Sequence, residues 1–216
     1  MLRYALAPIN PDAARALSLP RTLARASGVA LTFDDGPHPE GTPAILEVLA
    51  AAGARATFFL VGEQVERRPA LAARIVAEGH VVALHGYRHR LQLRLPAATV
   101  AADISRGVAV VQEATGAALR LHRPPYGIYS PAALRAVREA GLAPLLWSRW
   151  GKDWRKFTTP ARITRRATRG LIAGDVILLH DADFYSARNS HRRTAVALKH
   201  ILTELERRKL DTVLAV

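Results

Sequence analysis

The sequence predicts an α/β fold, a distorted (β/α)7 barrel with its functional site at the C-terminal ends of the strands. Three observations carry this. From residue 28 onward, short apolar runs alternate with amphipathic segments, the pattern of parallel strands joined by right-handed helical crossovers. The polar clusters fall at or just past the ends of those runs, and in a β/α barrel the strand ends share one face. The length of 216 residues, half of them apolar and 23% charged, suits one domain with a full core.

Taken in order, the strands are expected at 29–33, 56–60, 81–85, 120–123, 143–147, 175–180 and 212–216. The helices between them are expected at 42–52, 62–78, 97–115, 130–140, 160–171 and 194–208. The helix at 130–140 illustrates the reasoning. Ala132, Leu134, Val137 and Ala140 keep helical spacing, Ser130 caps the start with Pro131 at the first position, and Gly141 closes it. The first strand, Val29-Ala30-Leu31, and the third, Val81-Val82-Ala83-Leu84, are continuous apolar runs, as strands buried on both faces require. The sequence holds no glycine-rich phosphate loop, no long repeat and no internal linker. Residues 1–27 read as an irregular leader packed on the barrel or mobile, and residues 28–216 as the barrel domain.

Composition narrows the chemistry. The net charge of +13 comes almost entirely from arginine, which suits contact with phosphates and carboxylates. It fits a solvated, arginine-rich surface, and it also fits electrostatic association with an anionic envelope polymer or a membrane surface. No recognition motif points to nucleic acid. With no cysteine, disulfides and thiol catalysis are excluded, and any metal must be held by histidine and carboxylate. No apolar run approaches the roughly 20 residues of a spanning helix. The first 20 residues lack the apolar stretch of a signal peptide, with Pro8 and Pro11 interrupting them. A monomer is the default expectation.

The candidate chemistry lies in a few places. Asp34 and Asp35 sit in Thr32-Phe33-Asp34-Asp35-Gly36-Pro37, just after a strand. Alone, that run equally suits a turn using aspartate for local hydrogen bonds. His85 and His89 follow another strand. At four-residue spacing on a helical turn they would share one face, the geometry by which His-x-x-x-His grips zinc. One carboxylate and two imidazoles make three sides of a metal site and leave positions open. The second carboxylate is then free to act as a base. Arg123-Pro124-Pro125-Tyr126-Gly127 ends a further strand. It is either a rigid loop, or a device in which Arg123 holds a carboxylate and a main-chain N–H near Tyr126 meets developing negative charge. His180, at the end of the strand before Asp181, suits a general acid, and Asp153 could orient it. His38, His80, His122, His191 and His200 have no partner at such spacing and read as structural or exposed.

With these segments in order, the chain resembles the NodB-type polysaccharide deacetylases, carbohydrate esterase family four, from about Val29 to the C-terminus. Thr-Phe-Asp-Asp-Gly-Pro, His-x-x-x-His and Arg-Pro-Pro-Tyr-Gly carry the resemblance. It implies a seven-stranded distorted barrel and hydrolytic removal of N-acetyl or O-acetyl groups from polysaccharides, foremost N-acetyl from amino sugars of a cell-wall or other polysaccharide. It implies one divalent metal, zinc foremost, with Co²⁺, Ni²⁺ or Mn²⁺ also suited to the ligands. On the same basis Asp35, His85 and His89 bind the metal, and Asp34 is the base, tethered by Arg123. The Tyr126 N–H helps bind the oxyanion. His180 is the acid, with Asp153 adjusting its charge, and Trp154 and Leu178 line the slot for the acetyl methyl. The partner is an acetylated polysaccharide or oligosaccharide, and the location is extracytoplasmic or at the cell envelope.

Two departures stand out. Gly86 follows the first metal histidine where the family commonly has serine or threonine, which predicts a looser His85–His89 loop. Trp150 stands where the fourth motif often has an extra aspartate, which bears on the Asp153 region. Two rival readings remain. One is a deformylase or amidase of the same fold acting on a lipid-linked or small-molecule amide. The other is a non-catalytic carbohydrate-binding envelope protein. An open groove would favour a polymer and a lidded pocket a small molecule, with segments 154–170 and 183–191 deciding.

Overall fold

The computed structural model describes residues 2–24 and 27–215. Seven strands form one sheet: β1 (Ala30–Asp34), β2 (Thr57–Leu60), β3 (Val81–Leu84), β4 (Leu121–His122), β5 (Ala143–Pro144), β6 (Arg149–Trp150) and β7 (Val176–His180). They lie in the order β5-β4-β3-β2-β1-β7-β6, and every pairing is parallel. The sheet curls into a partial barrel whose two edge strands, β5 and β6, are not paired to each other. The central strands are apolar on both faces because helices cover one side and the barrel interior fills the other. All of β1 and β2 is buried, and Phe33 stacks on Phe58 with ring centroids 5.1 Å apart.

Around the sheet run α3 (Gly41–Ala51), α4 (Gly62–Arg67), α5 (Pro69–Ala77), α6 (Ala97–Thr115), α7 (Pro131–Glu139), α8 (Pro160–Thr168) and α9 (Ser190–Arg207), preceded by α1 (Leu2–Leu6) and α2 (Pro11–Ala16). Their ends follow local chemistry. Ser130 Oγ accepts from the Ala133 N–H at 3.1 Å and Thr159 Oγ1 from Arg162 at 3.3 Å, each followed by a proline at the first helical position. Gly116 ends α6 in the left-handed region at φ 65°. The single helix expected at 62–78 is split at Arg68 (φ −144°), because the proline at 69 disfavours helical geometry in the residue before it.

Two strand expectations need correction. Residues 212–216 do not form the seventh strand. Thr212 makes an isolated bridge to Val29, and Ala215 exchanges hydrogen bonds with Thr57 Oγ1, while Val216 lies outside the described residues. The seventh place belongs to β6, two residues long and without an apolar run to announce it. The strand expected at 143–147 stops at Pro144. The carbonyls of Leu145 and Leu146 turn instead toward the guanidinium of Arg123.

The N-terminal segment meets the chain on both sides of β6. The Leu146 N–H donates to Pro20 O at 2.8 Å, Arg21 Nε donates to Trp147 O at 2.8 Å, and Thr22 bridges Asp175.

The register sets the site. Asp34 pairs with His180 across β1 and β7, and Leu84 pairs with His122 across β3 and β4. The residues that follow, Asp35, His85 and Arg123, therefore emerge at one level on the C-terminal face of the barrel.

Candidate active site

Asp34 is the last residue of β1, and Asp35 leaves the strand at φ 82°. In a continuing strand neighbouring side chains would face opposite sides. The positive φ breaks that alternation and lets both carboxylates reach one cavity. Gly36 is required here, since a Cβ would come within 2.2 Å of Asp181 Oδ2.

Arg123 is fully buried and spends its donors on fixed partners. Nη1 donates to Asp34 Oδ1 at 2.7 Å and to Thr32 Oγ1 at 2.9 Å. Nε and Nη2 donate to the carbonyls of Leu145 and Leu146 at 3.0 and 2.9 Å. Its guanidinium lies 3.9 Å from the Phe59 ring centroid. Such a cation is a positioning element: it holds Asp34 by one oxygen and leaves Oδ2 toward the cavity, 3.8 Å from His85 Nε2.

Asp35, His85 and His89 offer ligand atoms all within 4.8 Å of one another. Asp35 Oδ1 lies 3.4 Å from His85 Nε2 and 3.3 Å from His89 Nε2. The two histidines do not lie on a helical turn as expected. They sit at a strand end and in the loop after it, because Gly86 adopts φ 87°, and their rings still meet at 5.3 Å. Nor is the loop loose. Asp103 on α6 accepts from the Tyr87 and Arg88 N–H groups at 2.8 and 3.1 Å, and the carbonyls of Gly86 and Tyr87 accept from α4. A serine Cβ at position 86 would approach Asp103 Oδ2 at 3.2 Å in strained backbone, so glycine fits this anchoring.

His85 Nδ1 contacts Arg123 O at 2.8 Å, which turns Nε2 toward Asp35. Burial pushes His89 down to about 4, so its imidazole is neutral, the form that ligates metal. For Asp35, burial works to raise the pKa, but the close contact with His85 and the neighbouring His180, His89 and His85 imidazoles outweigh it and hold it at about 2. Among the described residues, Asp35 Oδ1 is buried without a hydrogen-bond partner. An orphaned carboxylate oxygen between two imidazole nitrogens is a donor set that fits a divalent cation.

His180 ends β7. Its N–H donates to Asp153 Oδ2 at 2.7 Å and its Nδ1 lies 2.9 Å from Asp153 Oδ1, while Thr194 Oγ1 donates to the same carboxylate at 2.9 Å. Burial opposes charge on the imidazole, but Asp153, and then Asp35 and Asp34, raise it to about 10. His180 is therefore protonated at neutral pH. Trp150 does not displace Asp153 from this contact. Its ring packs between Trp147 and Trp154, at 5.6 and 5.4 Å.

These groups line a cavity of about 230 Å³. Trp154 and Leu178 both reach it, with Trp154 edge-on to His180 at 5.4 Å. Tyr126, at φ 61°, stands at the rim, its ring 4.8 Å from His89. The cavity thus brings together Asp34, Asp35, His85, His89, Tyr126, Trp154, Leu178 and His180, with Arg123 and Asp153 directly behind.

Sequence reasoning missed Tyr185. It stacks on His89 at 4.1 Å and 7°, and its hydroxyl donates to Glu63 and accepts from Gln64. Thr32, Asp103 and Thr194 were missed as well, since no local pattern marks a residue whose partner lies far along the chain. A second cluster, His38, Asp183 and His191, also gathers three metal-type ligand atoms within 4.8 Å. Its hydrogen bonds argue for a clamp instead. His38 Nδ1 accepts from the Gly41 and Glu40 N–H groups at 2.9 and 3.2 Å, so the ring proton sits on Nε2, which donates to Asp183 Oδ1 at 3.2 Å. A protonated nitrogen has no lone pair for a cation. Asp183 Oδ2 accepts from the Asn189 N–H at 2.6 Å, tying the loop that carries Tyr185 to the turn after β1.

Residues 24–145 match the polysaccharide deacetylase family. The chain belongs to the polysaccharide deacetylases. It is 34% identical over 181 residues to a peptidoglycan-N-acetylglucosamine deacetylase of Bacillus cereus, covering 83% of this chain and 82% of that protein. It is 36% identical over 190 residues to a chitooligosaccharide deacetylase of Bradyrhizobium, covering 85% and 86%. Among solved structures, a peptidoglycan N-acetylglucosamine deacetylase in complex with an N-oxidanyl-benzamide superposes with a TM-score of 0.83 at 31% identity, covering 91% of this chain and 89% of that one. A family 4 acetyl xylan esterase from Clostridium thermocellum in complex with a cobalt ion superposes with a TM-score of 0.78 at 29% identity, covering 86% and 87%. As a polysaccharide deacetylase the protein is a hydrolase, and the curled seven-stranded barrel is the fold of its carbohydrate esterase family 4 neighbours. No helix among the described residues is long and apolar enough to cross a membrane.

Proposed function

We propose that this polysaccharide deacetylase is a metal-dependent hydrolase that removes N-acetyl groups from amino sugars of a cell-wall or related polysaccharide. One observation carries the reading. Two ion pairs of opposite sense, Asp34 on Arg123 and His180 on Asp153, flank the Asp35-His85-His89 cluster across one cavity. A base, an acid and a cation site within one small pocket are the parts that amide hydrolysis needs.

Asp35 Oδ1 and the Nε2 atoms of His85 and His89 would hold the cation. Zn²⁺, Co²⁺, Ni²⁺ and Mn²⁺ all suit this donor set, with zinc the first choice. When bound, such an ion polarises a carbonyl and makes a nearby water more acidic. Asp34 Oδ2, the oxygen not occupied by Arg123, takes the proton from the attacking water. The Tyr126 main-chain N–H meets the developing oxyanion, and losing one such donor typically costs about 3–4 kcal/mol. His180, its Nδ1 held by Asp153, presents Nε2 to the leaving nitrogen and donates the proton without which an amine leaves poorly. Trp154 and Leu178 exclude water around the acetyl methyl. A substrate of this kind places the enzyme's action at the cell envelope.

The test is acetate release from an N-acetylglucosamine oligomer by metal-stripped, zinc-reloaded and cobalt-reloaded protein. Release is expected only in the reloaded forms. Tight binding of one metal with no release would move the assignment to O-acetyl esters or lipid-linked amides. Neither metal nor release would support a carbohydrate-binding protein without turnover.

A further inference from the structure

The loops around the mouth of the barrel are rich in cations, and among the described residues the side chains of these cations have no ion-pair partner. Three loops frame the site: the one after β3 with His89, the one after β6 with Trp154, and the one after β7 with Tyr185. They carry Arg88, Arg90, Arg94, Lys152, Arg155, Lys156 and Arg188. Among the described residues none of these seven makes an ion pair, and all but Lys152 are exposed. The acids of the same loops are inward and committed. Asp153 is fully buried on His180, Asp181 is fully buried beside Thr42, and Asp183 serves the His38 clamp.

The arrangement is held in place. The Ala187 N–H donates to Trp154 O at 3.1 Å and, from α9, Arg193 Nη2 donates to Arg155 O at 3.2 Å, so the main chains of the second and third loops are tied together beside the cavity. Phe157 is 82% exposed within the stretch Arg155-Lys156-Phe157, an aromatic face next to cations. Like charges gathered without counter-ions raise one another's energy, and a bound polyanion relieves that. An aromatic ring beside the cations adds a stacking face for the apolar side of a sugar.

We propose that this rim binds an anionic glycan, a saccharide chain bearing carboxylate or phosphate groups on the units flanking the one in the cavity. The proposal rests on the deacetylase reading for the identity of the central sugar, but the rim's charge stands apart from turnover. The cations would act over several ångströms through solvent, so their contribution should fall steeply with salt.

Binding, not turnover, gives a test independent of the chemistry. Fluorescently labelled hyaluronan hexasaccharide (N-acetylglucosamine alternating with a carboxylated sugar), glycerol-phosphate oligomer and neutral chitohexaose would be titrated at 50 and 300 mM NaCl. The zinc-loaded protein would be compared with the triple variant Arg155→Glu, Lys156→Glu, Arg188→Glu. These exposed positions lie outside the catalytic groups, and surface changes of this kind leave folding nearly unaltered. One or both anionic probes should bind at least about tenfold more tightly than chitohexaose at low salt and lose that advantage at 300 mM. Which of them binds identifies carboxylate or phosphate as the recognised group. The variant should lose about tenfold in anionic binding with chitohexaose unchanged. Equal binding of all three probes, or a variant that binds the anionic probes as before, overturns the proposal. A parallel titration with phosphatidylglycerol vesicles that shows binding where neither anionic glycan binds overturns it as well and assigns the rim to a membrane surface.

Discussion

Replacing Asp153 by asparagine isolates what keeps His180 protonated. Asparagine preserves the shape and removes the charge from an oxygen 2.9 Å from His180 Nδ1. In the native protein, burial lowers the imidazole pKa, and Asp153 followed by Asp35 and Asp34 raises it to about 10 from 6.5. At about 1.4 kcal/mol per unit, that difference corresponds to a ceiling of about 5 kcal/mol, of which Asp34 and Asp35 supply part. The folded pKa lies above the unfolded one. The stabilisation is therefore fully present below about pH 6.5 and is lost as pH rises through about 10. In the metal-free Asp153→Asn protein, urea unfolding at pH 6, 8 and 10 should show that decline flattened by several kcal/mol. In the reloaded enzyme, the alkaline limb of kcat/KM should fall to 6.5 or below, so activity at pH 8 drops by about 30-fold or more. A bound cation offsets the charge of Asp35 and draws the native limb down, which is why the stability arm uses metal-free protein. If the alkaline limb and the stability curve both keep their native positions in the variant, Asp153 does not hold this proton and the assignment of the acid fails.

Three further outcomes follow from the site. Asp34→Asn should abolish turnover while equilibrium dialysis still finds one zinc per chain, and loss of metal as well would mean that Asp34 and Asp35 have been given the wrong roles. Arg123→Met should destabilise by about 3–5 kcal/mol in urea unfolding, because it leaves the buried Asp34 carboxylate without its cation; a change under 1 kcal/mol would show that solvent reaches Asp34. Tyr185→Ala should weaken metal binding by about 10–100-fold and shift the visible spectrum of the cobalt form, while Tyr185→Phe should leave both near native. That contrast follows because among the described residues His89 Nδ1 has no hydrogen-bond partner, so stacking on Tyr185 sets its ring plane; equal loss in Phe and Ala would assign the effect to the hydroxyl's contacts with Glu63 and Gln64.

How far the sequence could be read depended on how local each signal is. β1, β2, β3 and β7 are buried on both faces and announce themselves as apolar runs, and the polar residues after them mark one face of the barrel. β6 was illegible because two residues, Arg149 and Trp150, form an edge with no run to detect. The tail at 212–215 has an apolar pattern like a strand, yet among the described residues it makes only an isolated bridge to Val29, just before β1, and hydrogen bonds with the Arg55 N–H and the Thr57 hydroxyl. The four-residue spacing of His85 and His89 pointed to two rings that do meet, at 5.3 Å, but through different local structure, since Gly86 at φ 87° makes a loop where spacing alone implies a helix. The groups behind the site were the least legible. Thr194 reaches Asp153 across 41 residues and Thr32 reaches Arg123 across 91, and only the folded register supplies those contacts.

That register also explains how two adjacent, chemically identical side chains take different positions. Asp34 remains in strand geometry, where its partner across the sheet is His180 and Arg123 claims Oδ1. Asp35 turns at φ 82°, and its carboxylate swings to the two imidazoles instead. Reversing the order of these tasks would need Asp35 to reach a guanidinium already fixed by Thr32 and by the Leu145 and Leu146 carbonyls. The backbone thus assigns the two positions before any ligand is present. Gly36 preserves the assignment, because a side chain there would collide with Asp181 and displace the turn that separates the two carboxylates.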